Sequence, residues 1–371
     1  METDILVIGG GPAGMSAAIT ADRAGARVIL VDESFSLGGQ LRQQTQHFAP
    51  LPGSEEKVRG TALGNDLIKK LEASKVKILK KHIMIGSYRN ENIGVTDGEK
   101  TFAIQSQKNI IAPGAAEKAK IFPGWTIPGV MTAGAAQILI NRERVLPGKN
   151  AVMLGSNDYS LEVARQLKAC GVTIKAIVED KEQMISSDME LLHDMKNVPV
   201  YLNSTIESAT GKEELNKVVV KTPAGLYEME ADLICIANGF DPIIEPFEIM
   251  GCNLAYHKEL GGWLPEYNVY FQTSNPSCYI AGNAAGITTI GPVLLTGEIA
   301  AIGALEELGF MEQEEAEAQR KELWKELAEI EKRENEKTFR ARSELIEGFH
   351  QKIGMAFPEE FNMVNGGAHN G

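Results

Sequence analysis

The chain has 371 residues, 43% of them apolar, a net charge of −13 and four cysteines. That length allows two or three domains with cores of their own, and no uninterrupted apolar run approaches the roughly twenty residues that cross a bilayer, so no membrane partner is expected. The acidic balance disfavours nucleic acid and anionic surfaces, and Cys170, Cys235, Cys252 and Cys278 are too scattered for a redox dithiol, a zinc knuckle or a cysteine-ligated iron–sulfur cluster, so no metal site is expected. No basic segment, long apolar stretch or cleavage signal precedes the first strand, which predicts a cytoplasmic protein.

The first element is a buried strand, Ile5-Leu6-Val7-Ile8, which runs into Gly9-x-Gly11-Pro12-Ala13-Gly14 and an Ala-rich helix. Strand, Gly-x-Gly-x-x-Gly turn and helix in that order form a dinucleotide fingerprint. Gly9 makes the sharp turn, Gly11 lets the backbone approach a pyrophosphate, and Gly14 permits close packing of helix on strand, with free N–H groups of the helix start facing the anion. The second strand, Val28-Ile29-Leu30-Val31, ends at Asp32 and Glu33, where a carboxylate meets a ribose hydroxyl. A Gly38-Gly39-Gln40 loop and a Gln-rich stretch, Leu41 to Pro52, follow. A helix is predicted around Asn65 to Ser74, then short β segments with a hairpin turn at Thr96-Asp97-Gly98, and a closing strand Asn109 to Ala112 before the turn Pro113-Gly114-Ala115.

The same plan then repeats. Asn150 to Leu154 reads as a strand, Gly155-Ser156-Asn157-Asp158-Tyr159-Ser160 as a turn, Leu161 to Cys170 as a helix, and Thr173 to Val178 as a strand ending at Glu179. More β segments, including Lys217 to Lys221, close on Ala231 to Gly239. Two βαβ units, each with a small meander, predict two nucleotide-binding domains. A third segment, Cys278 to Gly286, is another strand entering a Gly-rich turn, and a helix is predicted from Gly291 to Leu308, its apolar run broken by Thr296 and Glu298. From Glu312 to about Lys352 the chain is dominated by Glu, Lys and Arg at helical spacing. It reads as one or two surface helices that either fold back on their own domain or form a docking arm for a partner. The tail Met363 to Gly371 is expected to be disordered.

This order of motifs resembles the flavoproteins with two dinucleotide-binding domains, which include thioredoxin reductase and the pyridine nucleotide–disulfide reductases. Four strings narrow the resemblance: Gly38-Gly39-Gln40-Leu41 with Gln44-Thr45-Gln46-His47-Phe48, Phe122 to Val130, Gly134-Ala135-Ala136-Gln137, and Leu260-Gly261-Gly262-Trp263. They are similar to the FAD-containing subunits of heteromeric amine and imino-acid dehydrogenases: archaeal proline dehydrogenase, opine and hydroxyproline dehydrogenases, the B component of hydrogen cyanide synthase, and the alpha chain of sarcosine oxidase. The resemblance implies an α/β fold with two Rossmann-like domains, the second inserted in the first, plus a charged helical C-terminal extension. The expected boundaries are 1–118 and 240–310 for the FAD domain, 119–239 for the second nucleotide domain, and 311–371 for the extension.

The implied FAD residues are Gly9, Gly11, Pro12, Ala13, Gly14, Asp32, Glu33, Gly39, Gln40, Thr45, Gly114, Gly282 and Asn283. Asn283 stands where the family has an acid that meets the ribityl chain, and an amide still donates and accepts hydrogen bonds. The helix after Gly291 would aim its positive dipole end at the flavin. At the second turn, Gly155, Asn157 and Glu179 are candidates for a second nucleotide, NAD or, as in archaeal relatives, ATP. Asn157 and Ser160 there replace glycines, and Pro113 replaces a family Thr. His47 is a candidate proton donor against the reading of a solvated surface histidine, and Trp125 and Trp263 are expected to be packing residues. The resemblance further implies a second flavoprotein subunit, an iron–sulfur relay, if any, on another subunit, and an amine or imino-acid substrate such as a proline-like ring or an N-alkylated amino acid. A free-standing NAD(P)H-dependent flavin reductase and a nucleotide-binding scaffold with structural FAD are the alternative readings.

Overall fold

The computed structural model describes residues 1–88 and 92–356; the tail from Met363 lies outside them. The chain divides into two compact units, one of 1–42, 47–116 and 241–371, the other of 43–46 and 117–240.

Unit 1 is built on a mixed sheet. Lys77–Lys80, Val28–Asp32, Glu2–Ile8, Thr101–Ile111 and Cys278–Ile280 run parallel in that order. Central strands buried on both faces must be apolar throughout, as Ile5 to Ile8 and Val28 to Val31 are. The first half of Thr101–Ile111 pairs antiparallel with Asn92–Thr96, and that strand pairs with Ile83–Tyr88. The Asp97 carboxylate closes the intervening turn by accepting from the Glu99 and Lys100 N–H groups, at 2.9 and 2.7 Å. Register places Ile8 beside both Val31 and Ile111, and Ile111 beside Ile280. Four strands therefore end in line, and the residues that follow them share one edge of the sheet.

The helix that follows the short strand Val58–Arg59 spans Gly60–Glu72, starting five residues earlier than its sequence pattern suggests. Gly60 and Gly64 look like loop residues, but Gly64 lies against Leu41, whose Cβ would be 3.2 Å from an added methyl. Close packing thus overrides helix propensity. The long apolar helix Ile290–Glu307 crosses Pro12–Arg23 at Gly297, where any side chain would overlap the Ala13 carbonyl.

The charged C-terminal segment folds back on unit 1. Gln313–Ile353 is helical apart from Asn335, whose φ of −157° and ψ of 88° break it into two helices. Trp324, Leu327, Ile330, Phe339, Leu345, Ile346 and Phe349 are buried against the unit. Trp324 stacks on Phe271 at 5.2 Å, and Phe271 on Tyr267 at 5.1 Å.

Unit 2 has a parallel sheet in the order Val130–Thr132, Leu233–Ile236, Asn150–Leu154, Thr173–Val178, Val200–Tyr201. Ala151 and Met153 face a core with the helices, while Val152 and Leu154 face the three-stranded meander Thr205–Thr210, Lys217–Thr222, Gly225–Glu230, the alternation a two-sided sheet demands. Among the described residues no helix is long and apolar enough to cross a membrane.

Candidate functional site

The aligned strand ends of unit 1 collect most of the predicted residues. Gly9 N–H donates to the Val31 carbonyl, Ala112 N–H to Ile8, and Ala281 N–H to Ile111, so the turns at Gly9–Gly14, Ala112–Gly114 and Ala281–Asn283 lie side by side. In open α/β sheets ligands bind at this carboxyl edge. Gly9 has a φ of +105° and no room for a side chain against Ala112, and a methyl on Gly14 would overlap the Gly9 carbonyl oxygen. At Gly11 nothing lies within 4 Å of where a Cβ would be. Gly11 caps the Pro12–Arg23 helix without any side-chain hydrogen bond, and no acid occupies the first turn. The helix start therefore presents open N–H groups and a positive dipole end to an anion. A dinucleotide pyrophosphate fits this cradle.

Asp32 is committed to the turn itself. Its Oδ2 accepts from Gly10 N–H at 2.6 Å and its Oδ1 from Ser34 N–H at 2.8 Å. Glu33 is exposed beside it. Gly38 N–H donates to the Gly10 carbonyl at 2.9 Å, and a methyl on Gly39 would come within 3.0 Å of the Gly11 Cα, so the Gly38-Gly39-Gln40 loop lies directly against the fingerprint. Gly114 opens onto unfilled space. Gly282, with a φ of +72°, packs on Ala13 and donates its N–H to Thr296 Oγ1 at 2.9 Å. Asn283 Oδ1 accepts from Thr288 N–H at 3.1 Å, which commits the amide oxygen and makes its NH2 the group available to a ligand. The Ile290–Glu307 helix also starts without a side-chain cap.

Four more residues singled out in the sequence are Thr45, His47, Trp125 and Trp263. Thr45 belongs to unit 2, where its hydroxyl accepts from Asn141 Nδ2 at 3.3 Å. His47 is exposed on a two-residue strand paired with Val58–Arg59, a surface position. Trp125 and Trp263 are 40% and 55% exposed rather than packed. Trp263 lies on the outer face of the Leu254–His257/Gly262–Pro265 hairpin, edge to face with its cross-strand neighbour Tyr256, ring centroids 5.6 Å apart. Of the cysteines, Cys170 is exposed and the other three are buried thiols. Among the described residues no cluster of His, Cys, Asp or Glu is placed to hold a metal ion.

The second turn has the same backbone plan and a different surface. Glu179, 3% exposed, accepts from the Ser156 N–H at 2.9 Å and hydroxyl at 2.6 Å, as Asp32 does in unit 1. Here the Asp158–Ala169 helix is capped by its own residues: Asn157 Oδ1 accepts from Ser160 N–H at 2.9 Å, and Asn157 Nδ2 donates to Ala237 O at 3.0 Å. Asp158 adds a carboxylate to the first turn and is bonded by the Ser186 hydroxyl. The Ile185 N–H donates to the Ser156 hydroxyl and the Ser186 N–H to the Ser156 carbonyl, at 2.9 Å each, covering Ser156. A nucleotide phosphate would have to displace the Asn157 cap and face the Asp158 charge. Nearby, burial raises the Glu117 carboxyl although it caps Gly134 N–H at 2.8 Å, and burial next to Glu117 raises the Tyr159 phenol.

The sequence profile described as pyridine nucleotide-disulphide oxidoreductase matches residues 3–304. The chain belongs to that family. As a member it is an FAD-dependent oxidoreductase, and the family brings FAD and a nicotinamide nucleotide as cofactors while ATP finds no support. The alpha chain of sarcosine oxidase from Rhizobium meliloti is 30% identical over 82% of this chain and 31% of its own length. The A component of opine oxidase from Rhizobium meliloti is 26% identical over 83% of this chain and 63% of its own. The HcnB component of hydrogen cyanide synthase from Pseudomonas aeruginosa is 26% identical over 81% and 70%. This chain thus spans from under a third to about two thirds of the length of the first two relatives. Among solved structures, L-proline dehydrogenase from P. horikoshii superposes with a TM-score of 0.69 at 23% identity, over 87% of this chain and 59% of that one. Thioredoxin reductase from T. acidophilum gives 0.68 at 18%, over 83% and 99%. These two show the shared fold.

Proposed function

We propose that this chain is the FAD-bearing subunit of a heteromeric dehydrogenase for an amino or imino acid, proline-like or N-alkylated, and that it relays electrons between NAD or another carrier and a partner flavoprotein subunit. The observation that carries the reading is similarity over four-fifths of the chain to proteins that are themselves subunits of sarcosine oxidase, opine oxidase and hydrogen cyanide synthase. FAD supplies the hydride and electron chemistry; the protein binds, orients and tunes it.

In this reading the Gly11 cradle and the Pro12–Arg23 helix start take the pyrophosphate, and Pro12 and Ala13 line its approach. Glu33 reads the ribose while Asp32 holds the turn. Gly39, Gln40, Gly114, Gly282 and the Asn283 NH2 face the rest of the cofactor. A nicotinamide nucleotide at Gly155, Asn157 and Glu179 would bind weakly, because the Asn157 cap and Asp158 stand where its phosphates belong. That weakness argues against a free-standing NAD(P)H-dependent reductase. Affinity capture of the tagged full chain from its native cells tests the proposal: imino-acid-dependent dye reduction and a second flavin-containing subunit are expected together. A chain that purifies alone and reduces dye with NAD(P)H would contradict it.

A further inference from the structure

A fully buried ion pair of unit 1 lies under the Asn283 turn, and it comes from the C-terminal helices. Glu331 and Arg342, 1% and 0% exposed, stand on opposite sides of the Asn335 break and pair through Arg342 Nη2 at 2.7 Å and Nε at 3.0 Å. Burying two charges is costly unless their remaining hydrogen-bonding capacity is met. Here it is met by the cofactor-facing segment. Arg342 Nη1 donates to the Ala285 carbonyl at 2.7 Å and to the Tyr267 hydroxyl at 2.8 Å, and Tyr267 in turn donates to Ala285 at 2.6 Å. Thr288 Oγ1 donates to Glu331 Oε1 at 2.7 Å, while the Thr288 N–H fixes Asn283 Oδ1. Burial works against the Arg342 charge, but Glu331 and Tyr267 hold it firmly protonated, and burial pushes the Tyr267 phenol up to about 12.

We propose that Glu331 and Arg342 are positioning residues for the flavin: acting through Thr288 and the Ala285 carbonyl, they set the direction of the Asn283 amide and so the environment of the bound cofactor. The C-terminal helices are then part of the FAD site. The proposal rests on the reading of Asn283 as a flavin contact. An ordinary structural strut would need only the Arg342 contacts with Tyr267 and Ala285. The Glu331–Thr288–Asn283 chain goes further, because it ends on the one side chain of this turn whose amide can meet a ligand.

The test uses the full-length protein purified with FAD and the variants Thr288→Val and Thr288→Ser. Valine keeps the shape and the backbone N–H but removes the hydroxyl to Glu331; serine restores it. The expected result for Thr288→Val is several-fold weaker FAD binding with a shifted flavin reduction potential and visible spectrum. Its cofactor-free melting temperature is expected to fall by a few degrees at most, roughly the loss of one hydrogen bond to a carboxylate, and Thr288→Ser should recover the wild-type flavin properties. Wild-type affinity, potential and spectrum in Thr288→Val would overturn the positioning role while leaving FAD binding intact. A wild-type chain that takes up no FAD would overturn both the role and the reading on which it rests.

Discussion

Gly11→Ala separates cofactor binding from folding, because the site it alters is open in this chain. Gly11 has a φ of −75° and a ψ of −178°, an extended conformation alanine adopts without strain, and nothing lies within 4 Å of the added methyl. Alanine is a poorer N-cap than glycine by a fraction of a kcal/mol, and stiffening the unfolded chain returns about 0.4–1 kcal/mol, so the two effects nearly cancel. The cofactor-free variant should therefore melt within about 2 °C of wild type. The methyl fills the cradle and lifts a phosphate off the helix N–H groups. Loss of one charge-assisted hydrogen bond of about 1.5–3 kcal/mol weakens FAD roughly 10- to 150-fold. With FAD at about one hundred times the wild-type Kd, the cofactor contributes about 2.7 kcal/mol to wild type and, at a hundredfold loss, about 0.4 kcal/mol to the variant. Melting with and without FAD, and calorimetric titration, read both quantities. Gly14→Ala is the contrast: its methyl overlaps the Gly9 carbonyl oxygen, so fold and cofactor should be lost together. A Gly11→Ala protein that holds FAD as tightly as wild type would refute the cradle.

Three further outcomes follow from the same structure. Arg342→Met leaves Glu331 buried without its partner and should destabilise unit 1 by about 3–5 kcal/mol in denaturant titration, whereas Glu331→Gln combined with Arg342→Met should cost less than the single change; equal losses would contradict pairing as the cause. Asn157→Gly should cost only a few tenths of a kcal/mol in stability yet expose the Ser160 N–H. NADH affinity measured by titration should then rise about tenfold or more, and unchanged affinity would mean the cap is not the obstacle. Glu298 accepts from the Ser16 hydroxyl at 3.0 Å, and burial first, with Glu326 adding, raises its folded pKa above the ordinary 4.5. Its protonated form is favoured by folding, so its contribution is complete below that ordinary value and is lost as pH rises through the higher folded value. Glu298→Gln should therefore melt above wild type at neutral pH and match it near pH 4.5, and a constant offset across pH would contradict this.

The elements carrying the fingerprint were legible because geometry restricts them to few residue types. Only glycine fits at Gly9 and Gly14, and the strands beside them are apolar because both faces are buried. Asn157 was likewise readable as a departure from the glycine pattern, although its capping bond to Ser160 needed coordinates. Thr296 interrupted an apolar helix and proved to hold Gly282. The C-terminal segment misled more. Its Arg320, Glu331, Arg342 and His350 count as surface residues in any composition, yet all four are buried by at least 98% of their surface. Burial of charge depends on a partner, and partners eleven to seventy-five residues apart, such as Glu331 or Tyr267 for Arg342, leave no periodic trace. The Thr45 contact with Asn141, 96 residues away, leaves no periodic trace either.

In the proposed function this chain carries flavin electrons within an amino- or imino-acid dehydrogenase assembly. Anaerobic titration of the native complex tests it most directly, following the oxidised-flavin absorbance while NADH and then a proline-like or N-alkylated amino acid are added. The amino acid is expected to bleach the flavin of this chain only when the partner subunit is present, and NADH alone to bleach it slowly or only at high concentration. Rapid bleaching of the isolated chain by NADH, with no response to any such amino acid in the complex, would contradict it.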